Sequence, residues 1–197
     1  MADEMEDAPS RPPTDPRQSH RRFVIRIAAI VVVGIILAPF AWTLSPQTGD
    51  AHPVDAIVLL GPAHEERAAV VQTLLDDGVA PEALIAVSDS TDTRVELCPP
   101  QSSSSQHQVT CFVPDPYTTQ GEARMIAEQA ELKGWDSILV VTSPLHVNRA
   151  SMYLRRCFDG EITFLAENSN KTVGDRVSEL IYQTAALAKA WFVTSSC

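Results

Sequence analysis

The feature that most constrains this chain is an uncharged apolar stretch of 18 residues, IAAIVVVGIILAPFAWTL, at positions 27–44. An α-helix rises about 1.5 Å per residue, so this stretch is just long enough to cross a bilayer core of about 30 Å. Trp42 lies near its end, where an amphipathic ring suits the membrane interface. The stretch predicts a transmembrane helix over residues 23–44. A buried core helix is the alternative, although the stretch is too uniformly apolar to have a single buried face.

Charges on the two sides of this stretch predict its orientation. Basic residues precede it and acidic residues follow it, so the positive-inside rule places the N-terminus in the cytoplasm and exports residues 45–197. The basic residues are Arg21, Arg22 and Arg26. Residues 1–22 are polar and lack an apolar period, which predicts a disordered tail, and residues 45–52 are expected to be a linker. A cleaved secretory signal is the alternative; its first region would be unusually long, and no small-x-small pair is well placed after the apolar run.

The formal net charge of −10 lies entirely in the exported part. Residues 1–44 carry five acidic and five basic side chains, so residues 45–197 carry 20 acidic and 10 basic ones. Such an acidic domain argues against a nucleic-acid partner held by phosphate neutralisation. The hydrophobic share of 45% is enough to build a core and excludes a wholly disordered protein.

Four cysteines agree with an oxidising compartment: Cys98, Cys111, Cys157 and Cys197. They form no C-x-x-C pair and have no histidine at zinc-ligand spacing. Of the three pairings, we expect 98–111 and 157–197. The first would close the serine-rich loop within residues 89–110, at a gain of about 3 kcal/mol, and the second would hold the C-terminus in place. Four unpaired buried thiols are the alternative.

The exported part alternates between apolar strands and amphipathic helices. We expect strands at 54–60, 83–88, 111–115, 137–143 and 161–166, and helices at 64–78, 120–133, 144–158 and 173–193. The expected buried stripe of the last helix is Val177, Ile181, Thr184, Ala188 and Trp191. The alternation predicts a three-layer, Rossmann-like α/β domain over residues 53–197, with a mainly parallel sheet and right-handed crossovers. Ligands of such folds bind at the carboxyl ends of the strands.

The segment VTSPLHVNRA, at residues 141–150, is the strongest local signal for a site. Ser143 suits the N-cap of the helix and Pro144 its first position. That start makes His146 the third helical residue and puts Arg149 on the same face. Free backbone N–H groups, a hydroxyl, an imidazole and a guanidinium together favour an anion or phosphate site. A capped surface helix with a solvated arginine and a hydrogen-bonded histidine is the alternative.

Two further segments lie at predicted strand ends. Thr119 and Glu122 have the spacing of a capping box. A helix cap with no part in a site is therefore the alternative to a functional role for these two residues. Gly61 follows the first strand, and Arg67 on the next helix points either into the cleft or to solvent. The later glycines of a dinucleotide fingerprint are missing. The chain also lacks a Gly-x-Ser-x-Gly elbow, a P-loop and a His-Glu-x-x-His motif.

In this order the segments resemble the bacterial YdcF-like family, domain of unknown function 218, which includes the SanA and ElyC proteins. The resemblance covers about residues 53–166, and VTSPLHVNRA is its most specific part. The N-terminal anchor is similar to that of the SanA-type members. The resemblance implies a Rossmann-like fold and a role in the cell envelope, in barrier function or in peptidoglycan or lipid-carrier metabolism. It also implies a nucleotide-like ligand such as S-adenosylmethionine for some members, and no particular reaction.

The resemblance also implies a shared cleft, lined by nine residues: Gly61, Arg67, Ser88, Thr119, Glu122, Thr142, Ser143, His146 and Arg149. In one hypothesis the domain is a hydrolase or transferase of a phosphate-bearing or lipid-linked envelope substrate. Its two arginines hold the anion, and His146, with Glu122, handles protons near neutral pH. In the other it is a non-catalytic binding module, which two features favour: the serine-rich loop, and the turn Gly61-Pro62-Ala63, where the family has a glycine-rich turn. No metal or cofactor is evident from the sequence.

Overall fold

The computed structural model describes residues 16–88, 97–98, 107–167, 172–194 and 196–197, and this part of the chain forms five strands and five helices. In chain order they are α1 (Pro16–Thr43), β1 (Ala56–Leu59), α2 (Glu65–Asp76), β2 (Glu82–Ala86), β3 (Gln108–Phe112), α3 (Thr119–Lys133), β4 (Ser137–Thr142), α4 (Val147–Cys157), β5 (Glu161–Ala166) and α5 (Val173–Phe192).

The five strands form one sheet in the order β3-β2-β1-β4-β5, and every neighbouring pair is parallel. The predicted Rossmann-like α/β fold is therefore confirmed. The central strand β1 is buried along its whole length, as expected of a continuous apolar run covered on both faces. Strand β3 begins at Gln108, ahead of the start expected at 111. It is a half-exposed edge strand, so its sequence lacks the apolar run that marks β1.

Helices cover both faces of the sheet because side chains of successive strand residues point in opposite directions. On one face, Ile57 and Leu59 of β1 pack with the α2 stripe. On the other, Val58 of β1 and Val140 of β4 pack with α3 and α4. The α2 stripe includes Ala68, Val71 and Leu75, whose spacing of three and four residues puts them on one buried face of the helix; Leu74 is buried as well. Helix α4 contacts both α3 and α5.

Helix α1 is long and apolar enough to cross a membrane over His20–Thr43. It begins at Pro16, within the segment expected to be disordered, while residues 1–15 lie outside the described part of the chain. The chain divides into two units, Met1–Ala38 and Pro39–Cys197. The second unit therefore contains the last residues of α1 together with the α/β domain.

The segment expected to be a linker is hydrogen-bonded to the domain. The side chain of Asn148 donates to the carbonyl oxygen of Ser45 at 3.1 Å, and the Gly49 N–H donates to the carbonyl oxygen of Phe164 at 3.0 Å. These bonds attach the chain to α4 and β5 soon after α1 ends.

Both expected cysteine pairs are at disulfide distance, with Cα–Cα separations of 5.9 Å for Cys98–Cys111 and 5.0 Å for Cys157–Cys197. The pairing prediction is confirmed. Of the serine-rich loop predicted within residues 89–110, residues 89–96 and 99–106 lie outside the described part of the chain. The last residues of that range, from Gln108, belong to β3.

The predicted buried stripe of α5 is wrong in most of its members. Thr184 is buried, but Val177, Ile181 and Trp191 are 52%, 57% and 50% exposed. The buried positions of α5 are instead Gln183, Thr184, Leu187 and Ala190. The apolar pattern is misleading here because Leu187 is the one large apolar side chain among these four positions, and the other three are polar or small.

Candidate functional site

The candidate site lies at the carboxyl ends of β1 and β4, the two central strands. Strand β1 pairs with β2 on one side and with β4 on the other, so the chain order reverses at this point of the sheet. Crevices at such reversals are where parallel α/β sheets bind their ligands. Gly61 follows β1 and Ser143 follows β4, so both segments singled out in the sequence reach this crevice.

The start of α3 differs from the predicted capping box. Thr118, not Thr119, is the N-cap, and its hydroxyl accepts a hydrogen bond from the Gly121 N–H at 3.2 Å. Thr119 and Glu122 are therefore available for contacts outside their own helix. Both are buried, and Glu122 Oε1 accepts a hydrogen bond from the Gly61 N–H at 2.7 Å. The capping-box interpretation is wrong for this helix, because the Glu122 carboxylate accepts its hydrogen bond from the Gly61 N–H and not from the backbone of the helix start.

Glu122 is a carboxyl group set to exchange a proton near neutral pH. Burial raises its pKa to about 7, against the opposing effects of the Gly61 hydrogen bond, Arg149, Thr119 and Arg67. A Cβ on Gly61 would lie 3.2 Å from Glu122 Oε1, which is tighter than ordinary van der Waals contact. A residue without a side chain at position 61 lets the carboxylate approach the backbone this closely.

The His146 imidazole is held between two threonine hydroxyls. Its Nδ1 lies 3.0 Å from Thr142 Oγ1, and its Nε2 lies 3.2 Å from Thr119 Oγ1. Burial, together with the positive charges of Arg149 and Arg67, lowers the pKa of His146 well below its ordinary value. The ring is therefore neutral at physiological pH. Of these two residues, Glu122 is the one whose pKa lies near neutrality, and the expected proton transfer by His146 in that range does not agree with this environment.

The start of α4 also differs from the prediction. The helix begins at Val147, and His146 is its N-cap, without a side-chain capping bond. Residues 144–146 form a turn, in which the His146 N–H donates to the Ser143 carbonyl oxygen at 2.9 Å. Ser143 does not cap this helix through its side chain. Its hydroxyl donates instead to Glu179 Oε1 of α5 at 2.9 Å.

Arg67 of α2 is a buried cation with an incomplete set of partners. Its side chain is only 3% exposed, and Nη2 donates to the carbonyl oxygen of Pro62. Its Nε is buried and has no hydrogen-bond partner among the described residues. Burial lowers the pKa of the guanidinium, and the carboxylates of Glu179, Glu122 and Glu66 oppose that shift. Arg67 is therefore not the solvated surface arginine that was the alternative.

Arg149 of α4 lines the same cavity; it lies on the helix that follows β4, whereas Arg67 lies on the helix that follows β1. Its Nε donates to Gln183 Oε1 at 2.9 Å, and its guanidinium lies over the Tyr182 ring, 5.6 Å from the centroid. Burial lowers its pKa, while Tyr182, Glu122 and Tyr153 oppose the shift. Since both arginines affect the pKa of Glu122 and of His146, the four charged or titratable groups form one electrostatic cluster.

These groups line a cavity of about 510 Å³. Of the nine residues implied by the resemblance, seven contribute to its wall: Gly61, Arg67, Thr119, Glu122, Ser143, His146 and Arg149. Thr142 lies behind His146 and orients the ring. Ser88 follows β2 and is not part of the wall.

The sequence interpretation missed the contribution of α5. Glu179, Tyr182 and Gln183 line the cavity, and two of them bond to Ser143 and Arg149. Their spacing of three and four residues puts them on one helical face. The sequence did contain a signal for this contribution, because these three polar residues cluster on one side of a largely apolar helix. The apolar stripe on the other side was interpreted as the buried face instead.

Comparison of the chain with family models, curated proteins and solved structures found no match. The fold and the site geometry are therefore the findings that bear on function.

Proposed function

We propose that residues 45–197 form a membrane-anchored extracytoplasmic domain of the YdcF-like type that binds a phosphate-bearing or nucleotide-like ligand in this cavity. The apolar α1 supports the anchor, and the arginines before it support a cytoplasmic N-terminus. The two cysteine pairs support an oxidising compartment. A role in cell-envelope biogenesis or barrier function follows from this location and from the family resemblance.

The observation that carries the proposal concerns Arg67, which lines the same cavity as Arg149: its Nε is buried and has no hydrogen-bond partner in the part of the chain that the structure describes. Leaving a buried donor without a partner costs about 1–3 kcal/mol, and more when it is charged. A phosphate oxygen offers the missing acceptor, and guanidinium groups bind phosphates through paired, charge-assisted hydrogen bonds. An anion bound between the two arginines would therefore provide a hydrogen-bond acceptor for Arg67 Nε.

Glu122 gives this anion site a means of transferring protons. With a pKa of about 7 the carboxyl exchanges its proton readily near neutral pH, so it can act as a general acid or base. Beside a bound phosphate ester, water or an acceptor hydroxyl would form the new bond to phosphorus as the P–O ester bond breaks. The protonated carboxyl would donate to the leaving oxygen and regain a proton from the nucleophile, while the arginines stabilise the charge that develops. The corresponding reaction is hydrolysis or transfer of a phosphate-bearing or lipid-linked envelope substrate.

A non-catalytic binding or accessory module is the second candidate function. It is favoured by His146, because both ring nitrogens are already hydrogen-bonded to threonines and the ring is neutral. A histidine held in this way supports the wall of a cavity without serving as a base. In that case the arginines bind the ligand and no bond is broken.

Binding of AMP and of inorganic phosphate to the full chain in detergent micelles tests the anion site. Arg67→Gln and Arg149→Gln are each expected to weaken binding by about 10- to 100-fold, because each removes a charged hydrogen-bond donor. The exposed Arg155 lies on the same helix as Arg149 and provides the matched control, Arg155→Gln. Equal affinity in all four proteins, or no binding to the wild-type chain, would reject the proposal.

Phosphate release then separates the enzyme from the binding module. The substrates are nucleoside monophosphates, lipid phosphates and sugar phosphates, assayed with wild-type protein and with Glu122→Gln. If the domain is an enzyme, the wild-type protein turns over at least one of these substrates, and Glu122→Gln lowers the rate by about 100-fold or more while ligand affinity changes only a few-fold. Binding to the wild-type chain without turnover of any of these substrates supports the second candidate.

A further inference from the structure

Helix α5 carries an apolar stripe that points away from the domain core. Val173, Val177, Ile181 and Trp191 are 79%, 52%, 57% and 50% exposed. At about 100° per residue, these positions fall within roughly 80° of one another around the helix axis. They therefore lie on one side of the helix; Thr184, on the same side, is buried, so the exposed face has one part before it and one part after it. Phe192, 78% exposed, extends this face at the end of the helix.

The same face contacts the end of the apolar helix α1. The Trp191 ring meets the Trp42 ring edge-on, with centroids 4.9 Å apart, and Phe192 lies 6.2 Å from Trp191. Trp42 and Trp191 both belong to the second unit of the chain. Tryptophan at the end of a membrane-spanning helix lies at the level of the lipid headgroups. This inference rests on the membrane anchor proposed above: with α1 as that anchor, the stripe of α5 continues from the point where the chain leaves the bilayer.

Little free chain separates that point from the domain. The Asn148 side chain donates to the carbonyl oxygens of both Trp42 and Ser45, and the Gly49 N–H bonds to β5. Leu44 is 58% exposed and lines a second, mostly apolar cavity of about 340 Å³ together with Val173, Val177 and Leu180. Apolar surface therefore connects the end of α1 to the beginning of α5 as well.

We infer that α5 lies on the membrane surface, with Val173, Val177, Ile181, Trp191 and Phe192 inserted among the lipid headgroups and upper acyl chains. An amphipathic helix in this position buries its apolar face about 5–10 Å into the interface. The charges of α5 are Asp175, Arg176, Glu179 and Lys189, which sum to zero. Apolar burial, rather than attraction to anionic lipids, holds the helix there, so its contact is insensitive to salt.

This placement has a consequence for the cavity. Glu179, Gln183 and Lys189 of the same helix line it, and they lie on the side of the helix away from the stripe, so α5 separates the cavity from the lipid headgroups. Membrane contact by α5 does not require that the cavity bind the ligand proposed above, and the two are tested separately.

Labelling from within the bilayer tests the contact. The full chain is reconstituted in phosphatidylcholine vesicles with an apolar aryl-diazirine that generates a carbene in the acyl-chain region on illumination, and labelled peptides are identified by mass spectrometry. Leu132 of α3 is 72% exposed but lies off the stripe, and its peptide is the matched control. We expect α5 peptides to be labelled at least fivefold more than the Leu132 peptide, in 0.05 and 0.5 M salt alike. Equal labelling of the two would overturn the inference.

Substitutions on the stripe provide the second test. Ile181→Asp is expected to reduce α5 labelling several-fold, whereas Leu132→Asp leaves it unchanged. Because both side chains are exposed, both variants should keep the wild-type unfolding temperature in micelles within a few degrees. Cross-linking of two α5 helices in the vesicles, lost in Ile181→Asp and accompanied by weak lipid labelling, would instead identify a second copy of the chain as the occupant and reject the membrane contact.

Discussion

Two helix starts in this molecule carry the same sequence pattern and use it differently. At α5, Thr172 and Asp175 form a capping box: the Asp175 N–H donates to Thr172 Oγ1 at 3.3 Å, and the Thr172 N–H donates to Asp175 Oδ2 at 3.3 Å. At α3, Thr119 and Glu122 have the same spacing, but their side chains bond to His146 and Gly61.

The difference lies in the surroundings of the two starts. Thr172 and Asp175 are exposed, and their side chains bond to each other's backbone N–H at the helix start. Thr119 and Glu122 are buried at the carboxyl edge of the sheet, where a backbone N–H and an imidazole need partners. A capping pattern therefore predicts a local cap only where no buried donor or acceptor lies within reach.

The largest expected effect is on the pH dependence of stability at the α3 start. Burial raises the pKa of Glu122 from its ordinary value of 4.5 to about 7, so between these values the folded chain holds a proton that the unfolded chain has lost. The contribution of this group to the free energy of unfolding is therefore largest at low pH, and it falls by about 3 kcal/mol as pH rises through 7.

Denaturant unfolding in micelles at pH 4.5 and pH 8 checks this value. Between these two pH values, the free energy of unfolding of the wild-type chain is expected to fall by about 3 kcal/mol more than that of Glu122→Gln. His146 is present in both proteins, so its own titration cancels in the comparison. The exposed Glu128→Gln on the same helix is the matched control and should behave as wild type. The same pH dependence in wild type and Glu122→Gln would show that the carboxyl is not held as described.

A smaller effect is expected from the hydroxyl of Thr119. Thr119→Val keeps the shape of the side chain but leaves His146 Nε2 without its buried partner, which costs about 2 kcal/mol of unfolding free energy. Thr119→Ser restores the hydroxyl and should recover most of the loss. If the valine and serine variants unfold at the same denaturant concentration, the contact with His146 does not stabilise the fold.

The smallest effect is expected at the α5 start. Thr172→Ala removes an exposed cap and should cost about 1 kcal/mol of stability, while AMP affinity stays within twofold of the wild-type value. Unfolding and binding are measured on the same protein sample. A loss of AMP affinity as large as that of Arg149→Gln would mean that the two helix starts do not differ in role.

The sequence predicted the architecture well because its signals are local and strong. The apolar run of β1 and the α2 stripe of Ala68, Val71 and Leu75 leave few alternatives for the sheet and its covering helix. Spacing along the chain also favoured the cysteine pairs that the structure contains. Seven of the nine expected cleft residues line one cavity, since the carboxyl ends of parallel strands meet at one edge.

What the sequence could not predict depends on contacts between distant residues. The pKa of Glu122 follows from its burial and its bond to Gly61, 61 positions earlier in the chain. His146 is neutral because burial and the positive charges of Arg149 and Arg67 lower its pKa, and its own segment reveals neither the burial nor the approach of Arg67. The buried face of α5 was misassigned because its apolar residues lie outside the core, and membrane contact, as inferred above, provides a reason for that reversal.

The most direct test of the central claim is the pKa of the Glu122 carboxyl. It is measured by infrared difference spectroscopy, as the carboxyl C=O band present in the wild-type chain and absent from Glu122→Gln, followed from pH 4 to pH 9. The structure predicts a midpoint of about 7. A midpoint near the ordinary value of 4.5 would contradict the account, because it would mean that Glu122 is a solvated cap residue like Asp175 and not a buried acid of the site.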